Sequence, residues 1–258
     1  MDNKTDLSDV TFLILVRLDS IDRLENILAT SQFLCSNFKT NIWVSEYATY
    51  NNDLLGKLLD ENISYSFTED HDPILYRTKF LNQMIGVVDK PIVCVWDTDV
   101  IVPAAQIVMA VGLLRTGEAD IVYPYESHFY DTSPLLRKLY LKERKIELLE
   151  QNTKKMKEMY LPNPLGGAFL ANLLAYKESG MENESFYGWG MEDGERIARW
   201  RNMNYKIHRV TGSLFHLSHE RGVNSNFHSN DQGLFKKKEY RSVRRNTTIS
   251  RLQSNDAK

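Results

Sequence analysis

Apolar positions recur along this chain with two different periods, and the switches between them mark out its elements. "VTFLILV" (10–16) is a short, nearly unbroken apolar run rich in β-branched residues, the pattern of a strand buried on both faces. The stretch 20–38, "SIDRLENILATSQFLCSNF", spaces its apolar residues at helical intervals behind Ser20, a side chain suited to capping a helix start. The alternation then repeats, with "NIWVSEY" (41–47) as a second strand, "DLLGKLLDEN" (53–62) as a short helix and "ISYSF" (63–67) as a third strand. Pro73 is expected to open a helix that runs through "ILYRTKFLNQMIGVV". "PIVCVW" (91–96) predicts a fourth strand, followed by a helix near 103–115 and the strand "DIVYP" (120–124). Strands alternating with helices imply an α/β fold with a mostly parallel sheet covered on both faces.

The second half changes character. Residues 134–159 are densely charged and read as one long helix, followed by the Gly/Pro turn "PNPLGGAF" and a short apolar segment. "FYGWGMEDGERIARWRNMN" joins an aromatic, glycine-rich turn to a helix start, and strands are expected near 205–209 and around "SLFHLSH". From Asp231 onward the chain is basic and poorly patterned, the signature of a mobile tail or a docking arm. The chain has 258 residues, 42% of them hydrophobic, and a net charge of -2, which gives no overall pull toward nucleic acid. Its two cysteines, Cys35 and Cys94, sit in apolar contexts and read as free thiols of a reducing compartment. With no apolar run long enough for a membrane span and a polar start "MDNKTDLSD", the expected location is cytoplasmic.

The sharpest anomaly is "PIVCVWDTDVIVP", in which a buried strand ends in Asp97 and Asp99. On a strand, residues two apart share a face, so both carboxylates would point the same way. Ligands of open α/β sheets bind outside the carboxyl ends of the strands. Two neighbouring carboxylates in an apolar setting repel each other and lose hydration, and a divalent cation relieves both costs. Magnesium and manganese are the hard ions such ligands suit. Haloacid-dehalogenase-type phosphatases also end a strand in D-x-D, with the first Asp as nucleophile. Their motif continues with a Thr where this chain has Ile101, and it lies on an early strand rather than the fourth.

Two further clusters carry chemistry. In "FYGWGMEDGE", Glu192 and Asp193 suit a helix N-terminus, which favours negative charge. That does not account for Trp189 between Gly188 and Gly190, an arrangement suited to covering the apolar face of a sugar while carboxylates accept its hydroxyls. A carboxylate there is also a candidate general base. In "LFHLSHERG", His216 and His219 are three apart and converge only on a turn or helix; either would complete a metal site with the D-x-D and tilt it toward manganese.

In this order, "RTKFLNQMI", "WDTDVIVP", "GGAF", "YGWGMEDGE" and "HLSHERG" resemble the nucleotide-sugar glycosyltransferases of the GT-A fold. The likeness is to the inverting branch of β-1,4-galactosyltransferases and bacterial chondroitin-polymerase-like enzymes, over roughly residues 8–225. It implies one GT-A, Rossmann-like domain over 1–230, with a nucleotide-sugar-binding half at 8–125, a smaller acceptor-binding half at 126–230, and the basic tail at 231–258. It also implies Asp99, His219 and His216 as metal ligands, His216 standing where the galactosyltransferases place a methionine. Donor contacts are implied at Asp97, Arg77, Lys79, Gly167, Arg17 and Glu46, the last two near uridine. Asp193 is implied as general base, with Glu192, Trp189 and Gly190 at the acceptor. The cofactor is then Mn2+, with Mg2+ as the alternative, and the partners a UDP-sugar and a saccharide or lipid-linked oligosaccharide. The cationic tail would touch a membrane peripherally or stay solvated. The family's turn carries a further acidic residue where this chain has Gly194, and the charged stretch 134–159 has no counterpart in the resemblance. A non-catalytic nucleotide-sugar-binding module is the other function compatible with this pattern.

Overall fold

The computed structural model describes residues 4–160, 162, 164–222, 224 and 229–255. Its first half is the expected alternation. β1 (Thr5–Val16) leads to α1 (Ile21–Asn37), then β2 (Phe38–Ala48), α2 (Leu54–Leu58), β3 (Ile63–Glu69), α3 (Arg77–Val87), β4 (Ile92–Trp96), a short β5 (Val100–Ile101), α4 (Ala104–Arg115) and β6 (Ile121–Tyr123). Ser20 caps α1 as expected, its side chain accepting from the Arg23 N–H. β7 (Ser127–Asp131), α5 (Pro134–Glu143), α6 (Ile146–Glu150), β8 (Lys157–Glu158), β9 (Ala168–Asn172), α7 (Leu173–Glu178), α8 (Glu192–Asn202), β10 (Ile207–Arg209), β11 (Gly212–His216) and α9 (Asn230–Asn255) follow.

Among the described residues, seven strands form one sheet in the order β10-β6-β9-β4-β1-β2-β3. Only β9 runs against its neighbours β4 and β6. The order reverses between β1 and β4, so the chain leaves the carboxyl ends of these two strands in opposite directions and a crevice opens there. β1 from Val10 onward and the whole of β4 are buried, which is why their apolar runs are unbroken there. A second sheet, β5-β11-β7-β8, packs beside the first. β11 pairs antiparallel with β5 and parallel with β7, setting His216 opposite Val100 on one side and opposite Asp131 on the other.

Several expectations are corrected. Asp97 and Thr98 lie in the turn after β4, so the two aspartates do not share a strand face. α3 begins at Arg77 rather than Pro73, because residues 70–75 are tied into a loop: Arg17 donates to the Asp72 carbonyl and Asp72 accepts from the Ile74 N–H. The charged stretch 134–159 is no single helix. Arg144, at φ 55°, ends α5 in the left-handed conformation, and the chain continues through α6, a 3-10 turn at Thr153–Lys155 and β8. α5 is docked rather than solvated on all sides, since buried Arg137 bonds Asn26, the Asp22 carbonyl and Glu25 of α1. The tail is also not featureless over its described part: α9 packs on α8 and buries Gly233 and Lys236. Among the described residues no helix is long and apolar enough to cross a membrane.

Candidate active site

The crevice at the β1/β4 switch holds a cavity of about 460 Å³, a size that suits a small-molecule ligand. Arg17, Arg77, Asp97, Asp99, Gly167, Trp189, Gly190, Glu192, Asp193, His216 and His219 all line it. Glu46 and Lys79 are not among its lining residues. Glu46 is buried and accepts from the Tyr65 hydroxyl at 2.7 Å, while Lys79 is exposed on α3 over the Tyr76 ring.

The two aspartates have different partners. Asp97 takes a hydrogen bond from Arg77 at 2.6 Å, and its own N–H donates to the Gly167 carbonyl at 2.8 Å. Burial pushes Asp97 up from the usual carboxylate range, with Arg77 opposing and Asp99 adding to the rise. An Asp already engaged by a guanidinium does not fit the attacking nucleophile of a phosphatase. Gly167 has φ 86°, and a Cβ there would lie 2.9 Å from Leu214, so this close approach requires glycine.

Asp99 meets the histidines instead. The antiparallel pair Val100/His216 brings β11 alongside, and the Leu217 N–H donates to the Asp99 carbonyl at 2.7 Å. His219 Nε2 is then 3.1 Å from Asp99 Oδ2, and His216 Nε2 is 3.6 Å from Oδ1. Each Nδ1 is engaged on its far side, in His216 with Asp131 Oδ1 at 2.7 Å and in His219 with the Glu220 carbonyl at 2.7 Å. With Nδ1 engaged in this way, each Nε2 faces Asp99, and its lone pair would become a ligand once a cation replaces the proton it shares with the carboxylate, the arrangement found around ligating imidazoles. Burial would raise Asp99, but His216, His219 and Arg23 together hold it well below the usual range.

One ligand atom from each of Asp99, His216 and His219 lies within 4.8 Å of the others, so the three fit a single cation. One carboxylate with two imidazoles suits manganese better than magnesium, which prefers oxygen ligands throughout. Sequence reasoning did not single out Asp131 or Arg23, whose Nη1 is 3.9 Å from Asp99.

The other wall is the start of α8. Gly190 (φ 106°) and Met191 (φ 72°) turn the chain sharply into the helix. Arg196 bonds both Glu182 oxygens at 2.9 and 2.8 Å, lies over the rings of Phe169 and Trp200, which themselves meet edge to face, and also grips Asp193 Oδ1. Asp193 Oδ2 lies against Gly166, where any side chain would come within 3.0 Å of it. Neither Arg196 nor Glu182 was legible as part of the site, because nothing local marks them as partners of Asp193. Glu192 is buried and raised to about 7, first by desolvation and then by Asp193, against Arg77 and Lys236. Its Oε2 has no hydrogen-bond partner among the described residues.

Residues 138–220 match the family model for the N-terminal domain of galactosyltransferase. The match begins inside α5, so most of the charged stretch left without a counterpart lies within it. No curated protein matches the chain. Among solved structures, glucosyl-3-phosphoglycerate synthase from Mycobacterium tuberculosis, in complex with Mn2+, UDP and phosphoglyceric acid, aligns at 14% identity and a TM-score of 0.53. The alignment covers 95% of this chain and 79% of that one. The catalytic domain of Drosophila beta1,4galactosyltransferase 7, in complex with xylobiose, aligns at 14% identity and a TM-score of 0.54 over 91% of this chain and 80% of its own. The switch-point crevice, the topology around it and these likenesses together give the chain the GT-A fold of nucleotide-sugar glycosyltransferases.

Proposed function

We propose that this chain is a manganese-dependent, inverting glycosyltransferase that moves a hexose or N-acetylhexosamine from a UDP-sugar to a hydroxyl of a saccharide acceptor. One observation carries the reading: the Asp99, His216 and His219 cluster and the Glu192, Asp193 pair line the same cavity. The first suits a diphosphate bound through a cation, the second an acceptor hydroxyl. The solved relatives, with UDP and Mn2+ in one and a xylose disaccharide in the other, support the same division.

When bound, manganese supplies positive charge where the nucleotide diphosphate departs. Asp99, His216 and His219 would hold it, with Asp131 orienting the His216 ring. Arg77, already on Asp97, feels the charges of Asp193 and Glu192 as well, so it links the donor and acceptor walls. Asp193, fixed through Oδ1 by Arg196, takes the acceptor proton at Oδ2 as the oxygen attacks the anomeric carbon from the face opposite the leaving group. Trp189 covers the sugar's apolar face. Holding both substrates in one cavity replaces a bimolecular encounter. The lipid-linked form of the acceptor, in polysaccharide or glycolipid synthesis, is supported by α9, which exposes Leu234 and Phe235 beside Lys237, Lys238 and Arg241.

The test is release of UDP from a panel of UDP-sugars with manganese, with magnesium and with EDTA. Turnover of one or two sugars, lost in EDTA and in Asp99→Ala, is expected. Asp193→Asn should keep donor binding and lose about 10²-fold or more of transfer. Failure of UDP to bind the wild-type chain with manganese refutes the proposal.

A further inference from the structure

α9 meets the turn that carries Trp189, and the first turn of α8 just after it, at three successive helical turns. Gln232 Nε2 donates to the Tyr187 carbonyl, and Lys236 Nζ donates to the Trp189 carbonyl at 2.7 Å. The Tyr240 ring lies so close to Gly194 that a Cβ there would come within 3.2 Å of it. These three residues are four apart and form one stripe of the helix.

Lys236 is the unusual member of the stripe. It is only 1% exposed, and an ammonium so buried is costly unless it is engaged. An unbranched apolar side chain would pack α9 onto α8 at similar volume, so packing does not account for the charge. The ammonium engages the backbone of the turn and faces the Glu192 carboxylate.

We propose that Lys236 is a positioning residue and that α9 is a brace for the turn. The lysine fixes the Trp189 carbonyl, and with it the direction in which the Trp189 ring enters the cavity. The turn needs such support because Gly188 and Gly190, at φ 69° and 106°, give it little stiffness of its own. Gly194 belongs to the same design. The resemblance puts a third acidic side chain at this position, whereas here the ring of Tyr240 fills the space from a later helix. The consequence for the acceptor rests on the transferase reading; the brace itself does not.

The test compares the full chain with Lys236→Met by hydrogen exchange and by acrylamide quenching, with Trp189→Phe used to assign the Trp189 emission. Exchange over 187–191 should rise by about tenfold and Trp189 should quench more readily, while peptides from β4 stay unchanged. With p-nitrophenyl glycosides as acceptor probes, the acceptor KM should rise several-fold with UDP–manganese affinity preserved. Wild-type exchange and quenching in the variant overturn the brace, as does a rise of equal size in β4. Should Lys236→Met not fold, Gln232→Ala alters a half-buried residue: a smaller rise confined to the turn supports the brace, and no rise overturns it. If the wild-type chain fails to bind UDP with manganese, the transferase reading falls while the exchange data still decide the brace.

Discussion

Replacing Glu192 by Gln tests the electrostatics of the acceptor wall through stability rather than turnover. Glu192 is raised from 4.5 to about 7 by burial and by the charge of Asp193, with Arg77 and Lys236 pulling the other way. In the unfolded chain it ionises near its ordinary value. Between the two values the folded state therefore holds a proton that the unfolded state has lost, and stability falls as pH rises through that window. At 1.36 kcal/mol for each pH unit, the interval from 4.5 to about 7 caps the loss at about 3 kcal/mol. Between about pH 5 and about pH 8, roughly 2 kcal/mol of it should be visible. Glu192→Gln cannot titrate and lacks this loss, while the other groups titrate in both proteins. Urea unfolding in EDTA at the two pH values gives the double difference. Wild type should lose roughly 2 kcal/mol more than the variant. Parallel pH profiles, or a wild type that gains stability as pH rises relative to the variant, would refute the assignment of a buried, protonatable Glu192.

Two other changes probe the supports of the site. Asp131→Asn weakens the bond that orients His216 and should lower manganese affinity about 10- to 100-fold in a calorimetric titration; unchanged affinity would remove His216 from the ligand set. Arg196→Met leaves Glu182, with 1% of its side chain exposed, as an uncompensated buried charge, and should cost about 3–5 kcal/mol in urea unfolding. Glu182→Gln added to that variant should recover part of the loss, and no recovery would mean that the pair is not the source of the cost.

What could be read from the sequence was what short-range patterning encodes. β1 and β4 announce themselves as unbroken apolar runs because both faces are covered, and Asp97 with Asp99 stand out against that background. The left-handed cap at Arg144 has no such signal, so 134–159 reads as one helix by composition alone. β7 is five residues of mixed character, "SHFYD", whose place depends on pairing with β11 far along the chain. Asp131 was invisible as a support of the metal cluster for that reason, and Arg196 because its pairing with Glu182 is made only in the folded core. α9 read as a tail because its docking stripe is Gln232, Lys236 and Tyr240 rather than an aliphatic face. Glu46 and Lys79, placed at the donor by the resemblance, are engaged locally here, the first with the Tyr65 hydroxyl and the second over the Tyr76 ring.

The register that sets His216 opposite Val100 has a further consequence. Asp99 comes from the half of the chain that shares only its fold with the solved relatives, whereas both histidines come from the segment that matches the galactosyltransferase family model. Neither portion alone owns the cluster. An ion held there would thus be a clasp between two parts of the polypeptide, its site complete only after β11 has docked on β5. Separately expressed halves, even if each kept its secondary structure, would acquire tight manganese binding only on recombining, so the metal titration of such a split chain would count correctly reassembled molecules.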